Sequence, residues 1–224
     1  MFSKLISFFS PLNQAKLAVI YFKFQFLRRR FNSSESDFYN LSNYILEGDT
    51  VVDIGSNVGR YSLEFSRLVG NNGFVFSFEM APRANYILNR LLHELSIPNV
   101  CLINVALGDE SDYISYSEDW IDPNCDFLFH TNTATTVSKD LNHNSKRLMY
   151  KGDVFLSGFD IDFIKIDVEG FEVNVLNGLR GTISRCKPYI LVENNSEDIF
   201  SILYGFGYKL LSQSDRNLLF ACHD

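Results

Sequence analysis

The sequence lacks several features that would assign the chain to a restricted class of protein. It has no uninterrupted apolar run approaching the ~20 residues that a membrane-spanning helix needs. Its four cysteines (Cys101, Cys125, Cys186 and Cys222) form no C-x-x-C pair and do not cluster with histidines, which argues against a zinc site. No segment has the pattern of a secretory signal peptide. We therefore expect reduced thiols and a cytoplasmic protein.

Acidic residues are missing from the first 34 positions, which hold six basic residues instead. The rest of the chain has 14 basic and 27 acidic residues, so its formal charge is −13, although the whole chain has −7. Binding to phosphates requires a basic surface. The main body of the chain is therefore predicted not to bind nucleic acid.

Apolar residues in the N-terminal segment, residues 1–36, recur at three- and four-residue steps, which is the spacing of a helix face. The opposite side is also apolar, and Pro11 is expected to divide the stretch into two helices. Three interpretations stay open. In the first, the segment is a helical lid or a contact with a second subunit. In the second, it lies on a membrane, with residues 1–34 against anionic lipid. In the third, it is a targeting peptide. The oligomeric state is left open.

From residue 50 onward, apolar strand-like segments alternate with amphipathic helices, which predicts an α/β fold with a mostly parallel sheet covered on both faces. The last two strands are separated by a short polar turn and predict an antiparallel hairpin at the sheet edge. The predicted strands are 50–55, 73–79, 100–107, 112–117, 162–167, 189–194, 208–212 and 217–222, with helices after the first strand, from near Pro82, around 171–179 and over 197–204.

The stretch 118–150 has little periodicity but contains several aromatic residues, which indicates a folded excursion. It lies between the third and fourth main strands. In an open parallel sheet, ligands bind beyond the carboxyl ends of the strands. The excursion is therefore expected to cover a ligand there.

The first main strand ends on Asp53 and leads into the loop Gly55-Ser56-Asn57-Val58-Gly59. A dinucleotide site would need G-x-G-x-x-G, and this loop has Asn57 in the place of the second glycine. The carboxylate of Asp53 would also repel a pyrophosphate. A nicotinamide-dependent oxidoreductase is therefore disfavoured, and a cofactor that carries positive charge is favoured.

S-adenosylmethionine has an ammonium, a sulfonium and no phosphate. Asp53 is predicted to accept a charge-assisted hydrogen bond from the ammonium, directly or through water. Glu79, at the end of the next strand, is predicted to accept hydrogen bonds from both ribose hydroxyls. The alternative is that Asp53 caps the loop and Glu79 is a solvated strand end. The predicted cofactor-binding residues are Asp53, Gly55, Ser56, Asn57, Gly59, Glu79 and Asp167.

Four segments carry a resemblance to the FkbM-type methyltransferase family: VVDIGSNVGRYS (51–62), FEMAPRANYILNRL (78–91), NVALGD (104–109) and FIKIDVEGFE (163–172). The resemblance runs from about residue 40 to the C-terminus, and its most specific block is K-I-D-V-E-G-x-E. Met80 departs from it, since the family often has proline there. The resemblance implies a class I Rossmann-like fold and methyl transfer from S-adenosylmethionine, usually to an oxygen. Residues 37–224 would be the methyltransferase domain, with an acceptor-covering excursion at 118–150.

An alcohol acceptor has to lose its proton to a base or a metal-bound group as it attacks. Asp167 or Glu169 is predicted as the base, with a pKa raised by neighbouring carboxylates, and His130 in the excursion is a further candidate. Alternatively, Asp167, Glu193 and Asn194 hold Mg²⁺ or another divalent cation. That set is similar to the ligands of metal-dependent catechol O-methyltransferases.

The leading hypothesis is an O-methyltransferase for a hydroxyl-bearing acceptor, and the acceptor it favours is a sugar in a glycan or glycolipid. A lipid-linked acceptor would account for the apolar, basic N-terminal segment. Two alternatives stay open: a non-catalytic partner protein that keeps the methyltransferase fold, and a methyltransferase that acts on a small molecule other than a sugar.

Overall fold

The structure, a computed structural model, describes residues 9–31, 35–117, 136–138, 145–193, 196–214 and 217–222. Their strands are β1 (Thr50–Ile54), β2 (Phe74–Phe78), β3 (Val100–Ile103), β4 (Ala106–Gly108), β5 (Asp112–Ser117), β6 (Thr136–Ser138), β7 (Ser145–Lys151), β8 (Phe163–Ile166), β9 (Tyr189–Val192), β10 (Tyr208–Gln213) and β11 (Leu218–Cys222). They form a seven-stranded central sheet in the order β10-β11-β9-β8-β1-β2-β3 and a four-stranded sheet in the order β4-β7-β5-β6.

The central sheet confirms the predicted fold class. Strands β3, β2, β1, β8 and β9 pair in parallel, while β11 pairs antiparallel with β9 and with β10. Alternate residues of β1 face opposite sides of the sheet, so Val52 and Ile54 enter one core while Val51 enters another. A strand buried on both faces has few positions for polar side chains, which makes those that occur there informative.

Helices cover both faces of the central sheet. The described helices are α1 (Pro11–Leu27), α2 (Arg60–Val69), α3 (Pro82–Glu94), α4 (Asp153–Leu156), α5 (Glu172–Gly178), α6 (Arg180–Cys186) and α7 (Glu197–Gly205), with 3₁₀ helices at Ser36–Asn43 and Gly70–Asn72. Side chains of α5, α6 and α7 join one core, and those of α2 and the first 3₁₀ helix join the core on the other face. This arrangement leaves the carboxyl edge of the parallel strands accessible.

The predicted single strand 100–107 is wrong, because the chain divides there between the two sheets. The side chain of Asn104 donates to the backbone oxygens of Glu79 at 2.6 Å and Met80 at 3.1 Å. These bonds hold the segment that joins β3 to β4 beside the end of β2. Of the predicted excursion 118–150, residues 136–138 and 145–150 belong to strands of the smaller sheet, and the remainder lies outside the described residues.

The N-terminal helix α1 begins at Pro11, which occupies the first turn, where its missing N–H costs no hydrogen bond. The predicted helix before Pro11 falls mostly on residues outside the described ranges. Ala15, Val19 and Phe22 are buried in a core that they share with Leu88 of α3. Lys23 also donates to Glu94 of α3 at 3.1 Å. Across the described part of the chain, none of the helices combines the length and the apolar character needed to cross a membrane.

Candidate active site

The carboxyl ends of four neighbouring strands form a cleft. In the spatial order β9-β8-β1-β2, the strands end within one residue of Glu193, Asp167, Asp53 and Glu79, and all four side chains line this cleft. The chain proceeds from β1 towards β3 on one side, whereas β8 and β9 lie on the other. The cleft therefore lies at the switch point of the sheet, where ligands bind in open α/β folds.

The loop after β1 needs glycines because its backbone packs closely against neighbouring elements, as well as because it borders the cleft. Gly55 has φ +80°, and a Cβ added to it would lie 1.8 Å from the backbone oxygen of Asp167. Gly59 has φ +89°, and its Cβ would lie 2.2 Å from Cδ1 of Leu88. Gly55, Ser56 and Asn57 line the cleft, whereas a side chain added at Gly59 would face α3. The loop is thus held against β8 on one side and α3 on the other.

We expect Gly55→Ala to lower the free energy of unfolding by about 2 kcal/mol or more, since it adds backbone strain and an overlap with Asp167. Gly48→Ala is the matched control, because Gly48 has φ +97° but no atom within 4 Å of its added Cβ. Urea unfolding of both variants would separate strain from overlap. Equal losses in the two variants would contradict the packing role of Gly55.

Asp53 is fully buried, and its two carboxylate oxygens have different surroundings. Oδ2 accepts from the Ser62 hydroxyl at 2.5 Å, and that hydroxyl lies 3.0 Å from the Ser77 hydroxyl. Oδ1 has no hydrogen-bond partner among the described residues. Burial raises the pKa of Asp53, opposed by the charge of Lys165 and the Ser62 bond. The cleft therefore contains a buried acceptor atom that a bound donor would satisfy.

Glu79 is buried and is not a solvated strand end. Its Oε2 accepts from the backbone N–H of Asn57, and its Oε1 from that of Ala81, both at 2.7 Å. The two backbone bonds fix the orientation of Glu79 in the cleft.

Lys165, which sequence reasoning missed, is the buried cation of the site. It stands opposite Asp53 in the β1–β8 pairing, donates to Oδ2 of Asp167 at 2.7 Å and lies 4.4 Å from the ring centroid of Tyr61. Burial, the largest single influence, acts to lower the pKa of Lys165, but the charges of Asp167, Asp53 and Glu35 and the hydrogen bond to Asp167 together raise it. The signal in the sequence was a lysine in the middle of an apolar strand that is covered on both faces.

Asp167 and Glu193 form a hydrogen-bonded carboxyl pair. Burial, then the hydrogen bond and charge of Asp167, raise the pKa of Glu193 to about 8. The pair therefore retains a proton near neutral pH, and its titration belongs to both groups.

The described side chains give no support to the predicted Mg²⁺ site. They contain no group of three or more histidine, cysteine, aspartate or glutamate side chains arranged to hold a metal ion. Asp167 and Glu193 are brought together, but the third predicted ligand, Asn194, lies outside the described residues. The ammonium of Lys165 already supplies a positive charge beside Asp167.

The remaining predicted catalytic residues have different positions. Glu169 lines the cleft and has φ +50°, a left-handed conformation that is uncommon for a residue with a side chain. His130 lies outside the described residues. The structure thus brings Glu169 to the same cleft as Asp167 and Glu193.

Glu35, Tyr61 and Arg60 also line the cleft and were not predicted. The Tyr61 hydroxyl donates to Oε2 of Glu35 at 2.5 Å, and the Asn217 amide donates to the same oxygen at 3.0 Å. These bonds hold the chain just before the first 3₁₀ helix against the sheet. Glu35 stands at the edge of a segment with little periodicity, so the sequence did not indicate that its side chain reaches the cleft.

One wall of the cleft is apolar. It is formed around the smaller sheet by Met80, Ala106, Leu107, Ile114 and Phe171. Ala106, Ile114 and Met149 share a small core against which Met80 and Phe171 pack. The cleft therefore has a polar end at Lys165 and an apolar side beyond Glu79, which suits a ligand with an apolar ring system and charged groups.

Comparison with known proteins agrees with this geometry. The family model for the methyltransferase FkbM domain matches residues 53–210. Among solved structures, the FkbM methyltransferase from Methylobacillus flagellatus KT superposes with a TM-score of 0.56 at 15% identity, covering 78% of this chain and 43% of that one. The chain thus spans less than half the length of that protein.

Two further structures match most of both chains. A methyltransferase from Geobacter sulfurreducens has a TM-score of 0.55 at 15% identity, covering 92% of this chain and 90% of that one. An S-adenosylmethionine-dependent methyltransferase from Aquifex aeolicus has a TM-score of 0.51 at 13% identity, covering 95% and 98%. No match is found among curated proteins. At these identities the structures show the fold, while the family model spans most of the chain, and the chain therefore belongs to the methyltransferase FkbM domain family.

Proposed function

We propose that this protein transfers a methyl group from S-adenosylmethionine to a hydroxyl of a sugar in a glycan or glycolipid. The observation that carries the proposal is the Asp167–Glu193 pair. The pair lies in the same cleft as Asp53 and Glu79, and the pKa of Glu193 is raised to about 8, which is close to neutral pH. A hydroxyl acceptor requires a group of this kind, because its proton has to be removed as it attacks.

The cleft fits S-adenosylmethionine on three observations. The free Oδ1 of Asp53 offers a buried acceptor for the ammonium. Glu79 presents two oriented oxygens that suit a pair of ribose hydroxyls. The wall that includes Met80 and Ile114 offers an apolar surface for the adenine ring. When bound, this cofactor supplies an electrophilic methyl carbon.

The protein's own contribution is to orient the acceptor and to take up its proton. Glu193, once ionised, is a stronger base than an ordinary carboxylate because its pKa is raised to about 8. The hydroxyl proton passes to the Asp167–Glu193 pair as the oxygen attacks. Lys165 fixes Asp167 through its 2.7 Å bond and balances part of the negative charge that the ionised pair has before it takes up the proton.

The charge of the cleft supports an uncharged, hydroxyl-rich acceptor. Among the described residues, six carboxyl groups line it, from Glu35, Asp53, Glu79, Asp167, Glu169 and Glu193, against the two cations Arg60 and Lys165. A phosphate-bearing acceptor would meet a surplus of negative charge, whereas sugar hydroxyls can donate to carboxylates. A small molecule other than a sugar is the second candidate acceptor.

A non-catalytic partner protein with this fold is the candidate of a different class. The proton-sharing pair argues against it, since mere cofactor binding does not need a base of raised pKa. Transfer of labelled methyl from S-adenosylmethionine into extracts, fractionated into glycan, lipid, protein and small molecules, tests the proposal. We expect label in glycan or glycolipid. Label in small molecules or protein would overturn the sugar assignment, and absence of label with cofactor binding intact would favour the non-catalytic protein.

Cofactor binding has its own test in Glu79→Gln. The variant loses a charged acceptor at two predicted ribose bonds, so we expect the Kd for S-adenosylhomocysteine to rise by about 10- to 100-fold. Isothermal titration calorimetry measures this change. Glu197→Gln, at an exposed position of α7, is the matched control and should leave the Kd unchanged. An unaltered Kd in Glu79→Gln would place the cofactor elsewhere.

A further inference from the structure

Helix α1 has apolar side chains on two opposite sides, and only one of them is covered within the described structure. Ala15, Ala18, Val19 and Phe22 are buried against α3. The opposite side, which we call the outward face of α1, carries Leu17, Ile20, Phe24 and Leu27, with exposures of 36%, 64%, 50% and 65%. A helix that is apolar all round is expected to be covered on both sides.

Exposed apolar side chains are concentrated at this helix. Sixteen large hydrophobic side chains are exposed among the described residues, and six of them lie between Phe9 and Leu27. Scattered exposed hydrophobic residues are normal, whereas a contiguous set on one helix marks an interaction surface. The outward face of α1 has the composition of such a surface.

The charged residues of α1 itself and of the segment directly after it, within residues 9–31, are all positive. Lys16 is exposed on the same side of the helix, and Arg28, Arg29 and Arg30 are exposed at its end. The guanidinium of Arg28 lies 3.9 Å from the ring centroid of Phe24, so a cation and an apolar ring are presented together. Residues 9–31 contain no acidic side chain. Apolar residues next to basic ones are the pattern of helices that lie in an anionic membrane surface.

A second copy of the chain fits this face less well. In a two-fold symmetric dimer the same surface of each subunit meets its equivalent. Lys16 and Arg28–Arg30 of one copy would then face the basic residues of the other, with no acid in residues 9–31 to compensate. An anionic lipid surface has the opposite charge and also accepts the apolar side chains.

We propose that the outward face of α1 and the Arg28–Arg30 cluster bind an anionic lipid surface, with the helix axis parallel to the membrane. The 17 residues of α1 would lie flat rather than cross the bilayer. The proposal concerns membrane attachment alone and stands whether or not the acceptor is a glycolipid.

Vesicle co-sedimentation of the full chain tests the proposal, with phosphatidylcholine vesicles and vesicles that also contain phosphatidylserine. We expect binding to the anionic vesicles, at least about tenfold weaker binding to the neutral ones, and loss of binding at high salt. Ile20→Asp/Phe24→Asp should weaken binding at least about tenfold because acids replace apolar contacts. Replacing all three arginines with glutamine should weaken it by a similar factor or more, since each contributes at the surface.

Leu46→Asp is the matched control, because Leu46 is 66% exposed but lies outside α1, and it should bind as the unaltered chain does. All the replaced side chains are exposed, so circular dichroism should show the fold retained. Unaltered binding by Ile20→Asp/Phe24→Asp, or equal binding to both vesicle types, would overturn the proposal. Analytical ultracentrifugation that shows a dimer abolished by Ile20→Asp/Phe24→Asp would also overturn it, in favour of a second copy on this face.

Discussion

Lys165→Met is expected to lower the free energy of unfolding by about 3–5 kcal/mol, the usual cost of removing one partner from a buried ion pair. The side chain of Lys165 is only 3% exposed and donates to Asp167, while Asp53 is fully buried beside it. Methionine fills a similar volume but leaves these carboxylates without their cation. Urea unfolding near neutral pH measures the loss.

Two controls identify charge as the cause. In the double variant Lys165→Met/Asp53→Asn, one uncompensated carboxylate is removed as well, so part of the loss should be recovered. Burial raises the pKa of Asp53, and the charge of Lys165 acts to lower it. The pKa should therefore rise further when Lys165→Met removes that charge. A group with a raised folded-state pKa stabilises the protonated protein, and this contribution fades as the pH increases. The deficit should therefore shrink at acidic pH. A loss below about 1 kcal/mol would contradict the role of Lys165.

Glu193→Gln is expected to have the largest effect on turnover, a decrease in kcat of about 10²- to 10⁴-fold, which is the usual contribution of a general base. In the unaltered protein, kcat/KM should rise with pH and level off above about pH 8, where Glu193 becomes ionised. Glutamine cannot ionise, so this rise should disappear. Kinetics measured across the pH range with an accepted substrate would show both changes.

The affinity for S-adenosylhomocysteine separates a chemical defect from a binding defect. It should be nearly unchanged in Glu193→Gln, because Glu193 is not one of the predicted cofactor contacts. If the variant keeps the rise near pH 8, the base lies elsewhere, and Glu169→Gln and His130→Asn become the next variants to measure. If turnover is unchanged, the acid–base role of the pair is wrong.

The sequence predicted the elements that depend on local pattern. The apolar strands, the carboxylates at their ends and the terminal hairpin follow from periodicity and turn residues, and the structure places Asp53 and Glu79 in one cleft. The break at Asn104 was missed, because its side chain bonds to the backbone of Glu79 and Met80, 25 and 24 residues away in the sequence. Such a contact leaves no trace in local periodicity.

The charge network of the site could not be predicted for a related reason. Asp53 and Lys165 become neighbours only because β8 pairs with β1 in the centre of the sheet. Strand order depends on the whole set of packing interactions and not on either segment alone. Glu35 likewise reaches the cleft through bonds from Tyr61 and Asn217, which lie 26 and 182 residues away.

The contact between Gly55 and Asp167 has a mechanical consequence. Because even a methyl group cannot fit between the loop after β1 and the backbone of Asp167, neither can shift towards the other. The half of the cleft assigned to the cofactor and the half assigned to proton transfer are therefore in direct contact at Gly55. Engineering that widens one half at this boundary will displace the other, so new acceptors are better accommodated from the side of Glu35 and Tyr61, away from Gly55.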